Sequence, residues 1–175
     1  GAIAGDIKLT GADTDSCQAD KNIVQALYDC GADVAIHKRE ITVKRNKLKA
    51  FDFDATHCPD LFPPLVALAA YCDGTTAIKG VNRLLHKESN RAIALRDEFK
   101  KMNVEVALDG DLMTINGSKK IKGATVSSHH DHRIAMATAI AALGATGNTN
   151  IQNADAVNKS YPGFYKDLQS VRKNG

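Results

Sequence analysis

Three short motifs place cationic side chains beside predicted helix starts. The first carries Lys87 and Arg91, the second carries Arg133, and the third carries Lys159. The exposed N–H groups and the dipole at a helix N-terminus already favour anions. Arginine adds a planar fork that matches a carboxylate or a phosphate, and lysine adds a point charge that can also move a proton. The motifs together predict a site for a small, highly charged anion.

Two carboxylates accompany these cations. Asp60 follows Pro59 at a further predicted helix start, and Glu88 stands next to Lys87. A carboxylate among cations suits an anionic substrate that needs proton transfer. Each junction alone also has a structural interpretation, as a helix cap or a surface ion pair. That interpretation involves Asp60, Asp131, Ser89 or Asn90, Ser160 and the pair Glu88–Arg91.

The elements that would position these residues come from a repeat of roughly seventy residues. Glycines at positions 5, 74 and 147 each begin a short alternating segment typical of a strand. A strand, a helix, a hairpin, a strand and a more apolar helix then follow in the two nearly whole copies. Helices are predicted over 20–29, 59–71, 89–102, 131–143 and 161–171. Hairpins are predicted for 33–37 with 41–45 and for 104–108 with 112–116, and further strands for 51–55 and 124–127.

Composition argues against several functional classes. The net charge of +3 provides no general basic field for nucleic acid. The basic run over 38–49 alternates as the solvated edge of a hairpin would. No run of 18 apolar residues predicts a membrane span, and no signal peptide is recognised. The four cysteines have no Cys-x-x-Cys spacing, which indicates reduced thiols rather than a metal or disulfide framework.

Histidines at positions 57, 129, 130 and 132 are considered as metal ligands. Three of them lie in one short stretch at a predicted bend, where neighbouring side chains diverge, and no helical two-histidine spacing is present. No metal is therefore predicted. Ser127 and Ser128 lack the Gly-x-Ser-x-Gly context of an exposed nucleophile.

The motifs resemble the C-terminal part of the 5-enolpyruvylshikimate-3-phosphate synthase family. The resemblance covers residues 5–172, and its order and spacing make it specific. The matching motifs are Pro59-Asp60, Lys87-Glu88-Ser89-Asn90-Arg91, Asp131-His132-Arg133-Ile134-Ala135-Met136, and Lys159-Ser160-Tyr161-Pro162 followed by Phe164. The resemblance implies an α/β (α+β) fold of repeated βαβαββ units, in an inside-out, barrel-like domain that is incomplete here. It assigns residues 1–15 to the remnant of another, central domain. Residues 16–175 are assigned to most of a domain formed by the N- and C-terminal parts of the whole enzyme.

The resemblance also implies an activity. Family members move the enolpyruvyl group of phosphoenolpyruvate to the 5-hydroxyl of shikimate 3-phosphate and release phosphate, a step of aromatic amino acid biosynthesis. We therefore expect a cytoplasmic, monomeric transferase with these two small molecules as partners, without a cofactor. The absence of the other domain's loops predicts that residues 1–175 alone are inactive.

Roles carry over position by position. Asp60 resembles the carboxylate that contacts the ring hydroxyls and takes the 5-hydroxyl proton, and Lys87 resembles a ligand of shikimate 3-phosphate. Glu88 resembles the group that exchanges a proton with the methylene carbon of phosphoenolpyruvate. Three cations resemble the residues that clamp that substrate's carboxylate and phosphate, namely Arg91, Arg133 and Lys159.

One departure and three alternatives accompany this interpretation. Asn90 stands where the family usually has Asp, which keeps a capping side chain but removes a charge. A UDP-N-acetylglucosamine enolpyruvyl transferase would share the fold and the donor, although it normally lacks the first two cationic motifs. RNA 3′-phosphate cyclase uses related repeats, but no nucleotide signal is visible. A non-catalytic, anion-binding repeat module would use the junction residues as caps.

Overall fold

The chain is described by a computed structural model over residues 1–13, 16–85 and 87–172. His86, which precedes the Lys87 motif, lies outside these described residues. The strands are β1 (Ile7–Thr10), β2 (Asp33–His37), β3 (Glu40–Lys44), β4 (Asp52–Asp54), β5 (Thr75–Lys79), β6 (Glu105–Asp109), β7 (Leu112–Asn116), β8 (Thr125–Ser127) and β9 (Asn150–Gln152). The α-helices are α1 (Ile23–Asp29), α2 (Phe62–Ala69), α3 (Arg91–Lys101), α4 (His132–Ala142) and α5 (Phe164–Arg172).

The strand pairing repeats along the chain. β1, β3 and β2 form one antiparallel sheet, and β5, β7 and β6 pair in the same order in the second sheet. The last strand of each unit then pairs in parallel with the first strand of the next unit, as β4 does with β5 and β8 with β9. The predicted α/β repeat is confirmed by this topology. The described strands form open sheets rather than a closed barrel.

The core lies where α2 and α4 pack together. Every α2 residue except Pro64 is buried, and small residues on α4 allow the helices to approach closely. The hydroxyl of Tyr71 donates to the carbonyl of Ala141, which fixes the ends of the two helices. Gly144 faces the same ring, and a Cβ there would lie 2.8 Å from it. The helices α2 and α4, which follow Asp60 and Asp131, are thereby held side by side.

Several predicted boundaries need correction. The predicted helices at 20–29 and 59–71 begin with 3₁₀ turns, Ala19–Asn22 and Pro59–Leu61, before α1 and α2 start. The last helix begins at Phe164 rather than at 161. The prediction that the basic run forms a sheet edge is wrong for β3, because β1 pairs along its other side. The boundary predicted after residue 15 stays a prediction, although β1 is hydrogen-bonded to β3.

Candidate active site

Arg91 joins the three carboxylates of the predicted junctions. Its Nε donates to Asp131 Oδ2 at 2.9 Å, its Nη1 to Asp60 Oδ1 at 2.9 Å, and its Nη2 to Glu88 Oε2 at 2.5 Å. A longer bond of 3.3 Å links Nη2 to Asp131 Oδ1. The side chain is 0% exposed. The interpretation of Glu88 and Arg91 as an ordinary surface pair is therefore wrong, because the guanidinium is wholly enclosed by anionic partners.

Asp60 lies where three cations meet. Besides Arg91, it accepts from Arg133 Nη2 at 3.0 Å and pairs with Lys87 Nζ at 3.1 Å. Burial raises the pKa of the Asp60 carboxyl, but the hydrogen bond from Lys87, the charge of Arg133 and the hydrogen bond from Arg91 outweigh it. The pKa consequently lies below its ordinary value, and Asp60 is ionised at neutral pH. It does not cap its helix through its side chain.

Asp131 combines a cap with an ion pair. Its Oδ1 accepts the backbone N–H of Arg133 at 2.9 Å, so the predicted cap of α4 is confirmed. Its Oδ2 accepts from Ser89 Oγ at 3.2 Å in addition to Arg91. The carboxylate is 0% exposed. Burial raises the pKa of Asp131, but the Arg91 hydrogen bond and charge reverse that effect and place the pKa below its ordinary value.

Asn90 takes the capping role at the first turn of α3. Its Oδ1 accepts the backbone N–H of Ile93 at 3.3 Å. Between the two predicted candidates, Asn90 rather than Ser89 is therefore the cap. The amide of Asn90 caps the helix without the charge that an Asp would bring. The hydroxyl of Ser89 donates instead to Asp131.

Lys159 reaches the site from a different element than predicted. It ends the 3₁₀ helix Ala154–Lys159, and its Nζ donates to the backbone carbonyl of His130 at 2.9 Å. The prediction of Ser160 as a helix cap is wrong, because its N–H donates to Val157 and α5 begins only at Phe164. Lys159 therefore lies beside the turn that precedes Asp131, and its ammonium group is tied to that turn.

The cations Lys87, Arg91, Arg133 and Lys159, with the carboxylates beside them, are called the cationic cluster below. Its exposed part presents both positive and negative side chains to solvent. Arg133 and Lys87 are 31% and 28% exposed, and Asp60 is 31% exposed. Glu88 is more open, at 40%. An arriving anion can thus meet Lys87 and Arg133 directly, whereas Arg91 is engaged with carboxylates. The arrangement can bind an anion and offers Asp60 and Glu88 as nearby proton acceptors or donors.

Glu98 is a functional candidate that the sequence did not single out. It lies on α3, two turns after Arg91 and on the same helix face. Its carboxylate contacts the turn that leads to Asp131 through His129 and the backbone N–H of Ser127. The sequence does contain a signal for it, because Glu98 is an acidic residue seven positions after Arg91 whose neighbours on the same face of the helix are apolar.

The histidines do not form a metal-ligand set in the described part of the chain. There, no group of three or more His, Cys, Asp or Glu side chains is arranged to hold an ion. His132 is buried, and its Nδ1 has no hydrogen-bond partner within residues 1–13, 16–85 and 87–172. No helix in these same ranges combines the length and apolar character needed to cross a membrane.

Comparison with known proteins gives a consistent result. The family model described as EPSP synthase (3-phosphoshikimate 1-carboxyvinyltransferase) matches residues 1–168. A 3-phosphoshikimate 1-carboxyvinyltransferase of Clostridium novyi is 40% identical over 171 residues, and one of Pyrococcus abyssi is 40% identical over 176 residues. The match takes in 98% and 100% of this chain but only 39% and 42% of those relatives. The chain therefore spans about two fifths of their length.

Solved structures agree on the fold. EPSP synthase from Acinetobacter baumannii superposes with a TM-score of 0.81 at 26% identity, over 96% of this chain and 42% of that one. The enolpyruvyl transferase NikO from Streptomyces tendae gives a TM-score of 0.76 at 21% identity, over 97% and 40% of the two chains. The second likeness concerns the fold alone.

Proposed function

This chain belongs to the EPSP synthase family, and we propose that it supplies one face of an active site for enolpyruvyl transfer. The donor is phosphoenolpyruvate, the acceptor is the 5-hydroxyl of shikimate 3-phosphate, and phosphate is released. The observation that carries the proposal is the cluster in which Lys87 and Arg133 converge on Asp60. Both substrates are multiply anionic, and such a cluster is suited to bind them.

The reaction moves one proton from the hydroxyl to the departing phosphate and a second proton onto the methylene carbon and off again, and the cluster offers one carboxylate for each of these two protons. In the addition, the acceptor's 5-oxygen bonds to C2 of phosphoenolpyruvate, its proton passes to Asp60, and a proton from Glu88 reaches the methylene carbon. In the elimination, the bond between C2 and the phosphate oxygen breaks, the departing phosphate takes the proton held by Asp60, and the new methyl group returns a proton to Glu88. Asp60 is ionised at neutral pH, because its cationic partners lower its pKa, so it is ready to accept a hydroxyl hydrogen.

The cations divide into two groups by exposure. Arg133 and Lys87 are partly open, and each can exchange Asp60 for a substrate oxygen without unfolding an element. Arg91 donates its hydrogen bonds to Asp60, Glu88 and Asp131. Direct contact of Arg91 with phosphoenolpyruvate thus requires one of those carboxylates to move aside. Substrate binding then replaces internal ion pairs by contacts with the ligand. In apo structures, catalytic contacts often reach their final geometry only when the substrate is bound.

The setting of the protein follows the family resemblance. We extend the proposal to a monomeric, cytoplasmic enzyme that uses the two small-molecule substrates and no cofactor. What supports it is the family match.

The acceptor separates this proposal from its nearest alternative. In the whole protein that carries these residues, we expect phosphate release from phosphoenolpyruvate with shikimate 3-phosphate and none with UDP-N-acetylglucosamine. The measurement is a phosphate-release assay with each acceptor in turn. Release with the nucleotide sugar alone would assign the protein to the related transferase. Release with neither acceptor would leave an anion-binding module whose junction residues serve the fold alone.

A further inference from the structure

Glu98 is a buried carboxylate outside the cationic cluster. It is 2% exposed and has three partners: Lys101 Nζ at 2.7 Å, His129 Nε2 at 2.8 Å and the backbone N–H of Ser127 at 2.9 Å. Burial raises the pKa of Glu98, but the bonds from Lys101, Ser127 and His129 lower it below the ordinary value. The group is therefore an anion that links α3 to the turn after β8.

That turn has an unusual backbone. His129 and His130 both have positive φ, 52° and 58°, a conformation that non-glycine residues adopt uncommonly. Two serines stabilise it, because Ser127 Oγ accepts the N–H of His129 and Ser128 Oγ accepts the N–H of His130, each at 3.1 Å. Successive left-handed residues persist only where surrounding contacts over-determine them. The bond from Glu98 to the His129 ring is one such contact.

The turn ends at the cationic cluster. Its carbonyl at His130 accepts from Lys159 Nζ, and the next residue is Asp131, which caps α4 and binds Arg91. A change of φ at His129 or His130 would redirect that carbonyl and displace Asp131. Lys159 would lose its acceptor, and Arg91 would lose one of its three carboxylate partners. The conformation of the turn thus bears directly on the orientation of Lys159 and, through Asp131, on one of the contacts of Arg91.

We propose that Glu98, acting through His129, is a positioning residue that sets the turn over residues 127–131 and so orients Lys159 for phosphoenolpyruvate. This inference rests on the proposed function, since it names what the oriented cation binds. Glu98 touches no substrate. A purely structural ion pair would stabilise the fold equally well without any preference for the conformation of this turn.

The test compares four variants in the whole protein. Glu98→Gln keeps the shape of the side chain but removes the negative charge to which His129 and the Ser127 N–H are hydrogen-bonded. His129→Asn keeps a residue that tolerates positive φ while shortening the side chain beyond reach of Glu98. Lys101→Ala removes the partner of Glu98 that does not belong to the turn. Glu105→Gln, an exposed glutamate on β6, is the matched control.

Two readouts are measured. Amide hydrogen exchange over residues 127–131 reports the turn itself and needs no ligand. The KM for phosphoenolpyruvate and kcat, from phosphate release with shikimate 3-phosphate, report positioning. We expect Glu98→Gln and His129→Asn to accelerate exchange and to raise KM about 10-fold with a smaller change in kcat, the size of one lost bond to a charged group. Lys101→Ala is expected to have a smaller effect on both, because Glu98 keeps its two bonds to the turn, and Glu105→Gln is expected to change neither.

A double-mutant cycle isolates the route through Lys159. In a Lys159→Ala background, Glu98→Gln is expected to add no further increase in KM. An equal further increase would overturn the proposal, as would unchanged exchange in both turn variants. If Glu98→Gln fails to fold, His129→Asn decides the matter alone, because that ring is partly exposed. Accelerated exchange in a protein whose wild type shows no phosphate release would refute the proposed function and the orientation of Lys159, but retain the control of the turn by Glu98.

Discussion

Replacing Arg91 by alanine is expected to lower the free energy of unfolding by about 3–5 kcal/mol, the cost of breaking a buried ion pair from one side. Arg91 has no solvent exposure and holds Asp131, which is equally buried. Without the guanidinium, Asp131 would be an enclosed carboxylate with only Ser89 and a backbone N–H as partners. An uncompensated buried charge is among the costliest defects that one substitution can create.

The matched control is Arg96→Ala, on the same helix. Arg96 is 40% exposed and pairs with its neighbour Asp97, and exposed pairs contribute about 0–1 kcal/mol. Urea unfolding of residues 1–175, followed by circular dichroism, gives both free energies. A loss below 1 kcal/mol for Arg91→Ala would contradict the position of Arg91 at the centre of the cluster.

Replacing Glu88 by glutamine is expected to lower kcat by about 10²–10⁴, the usual contribution of a positioned general acid–base. The amide cannot give a proton to the methylene carbon or take one back from the methyl group. The fold should persist, because Arg91 keeps Asp60 and Asp131 as partners and Glu88 is the most exposed of the three carboxylates. We therefore expect a large change in kcat with a small change in stability.

Phosphate release by the whole protein at saturating substrate concentrations measures this effect. Glu105→Gln makes the same chemical change at an exposed position of β6 and should leave kcat unchanged. A decrease of less than about 10-fold for Glu88→Gln would assign the proton transfer to another group, with Asp60 as the next candidate.

The sequence predicted the repeat because each level of organisation agreed with the others. Alternating strands, a tight-turn pair at Asp109-Gly110 and apolar helices recur in order, and each of these signals is local. Pairing between sheets is not local. Whether β3 lies at an edge depends on β1, whose residues are thirty or more positions from their partners and pair with them only in the folded chain. The basic run was therefore predicted as an edge although its strand is central.

The candidate site shows the same division. The motifs located the cations and carboxylates because they stand at strand-to-helix junctions, which the repeat brings to one side of the fold. They did not reveal how far Arg91 is buried, since its enclosure comes from three separate segments. Nor did they show that Lys159 lies at the end of a 3₁₀ helix, or that Glu98 contacts the neighbouring turn. Those features depend on tertiary packing, which local patterns do not encode.

The most direct test of the central claim, that the junction cations bind phosphoenolpyruvate, is its dissociation constant in Arg133→Ala. Calorimetry on the whole protein without an acceptor, so that no turnover occurs, compares this variant with the wild type and with Arg96→Ala. We predict a weakening of about 10²-fold for Arg133→Ala, as expected when a charged partner is removed from a bound anion, and none for Arg96→Ala. Equal affinity in all three proteins, with the fold intact, would contradict the account and return Arg133 to a purely structural pairing with Asp60.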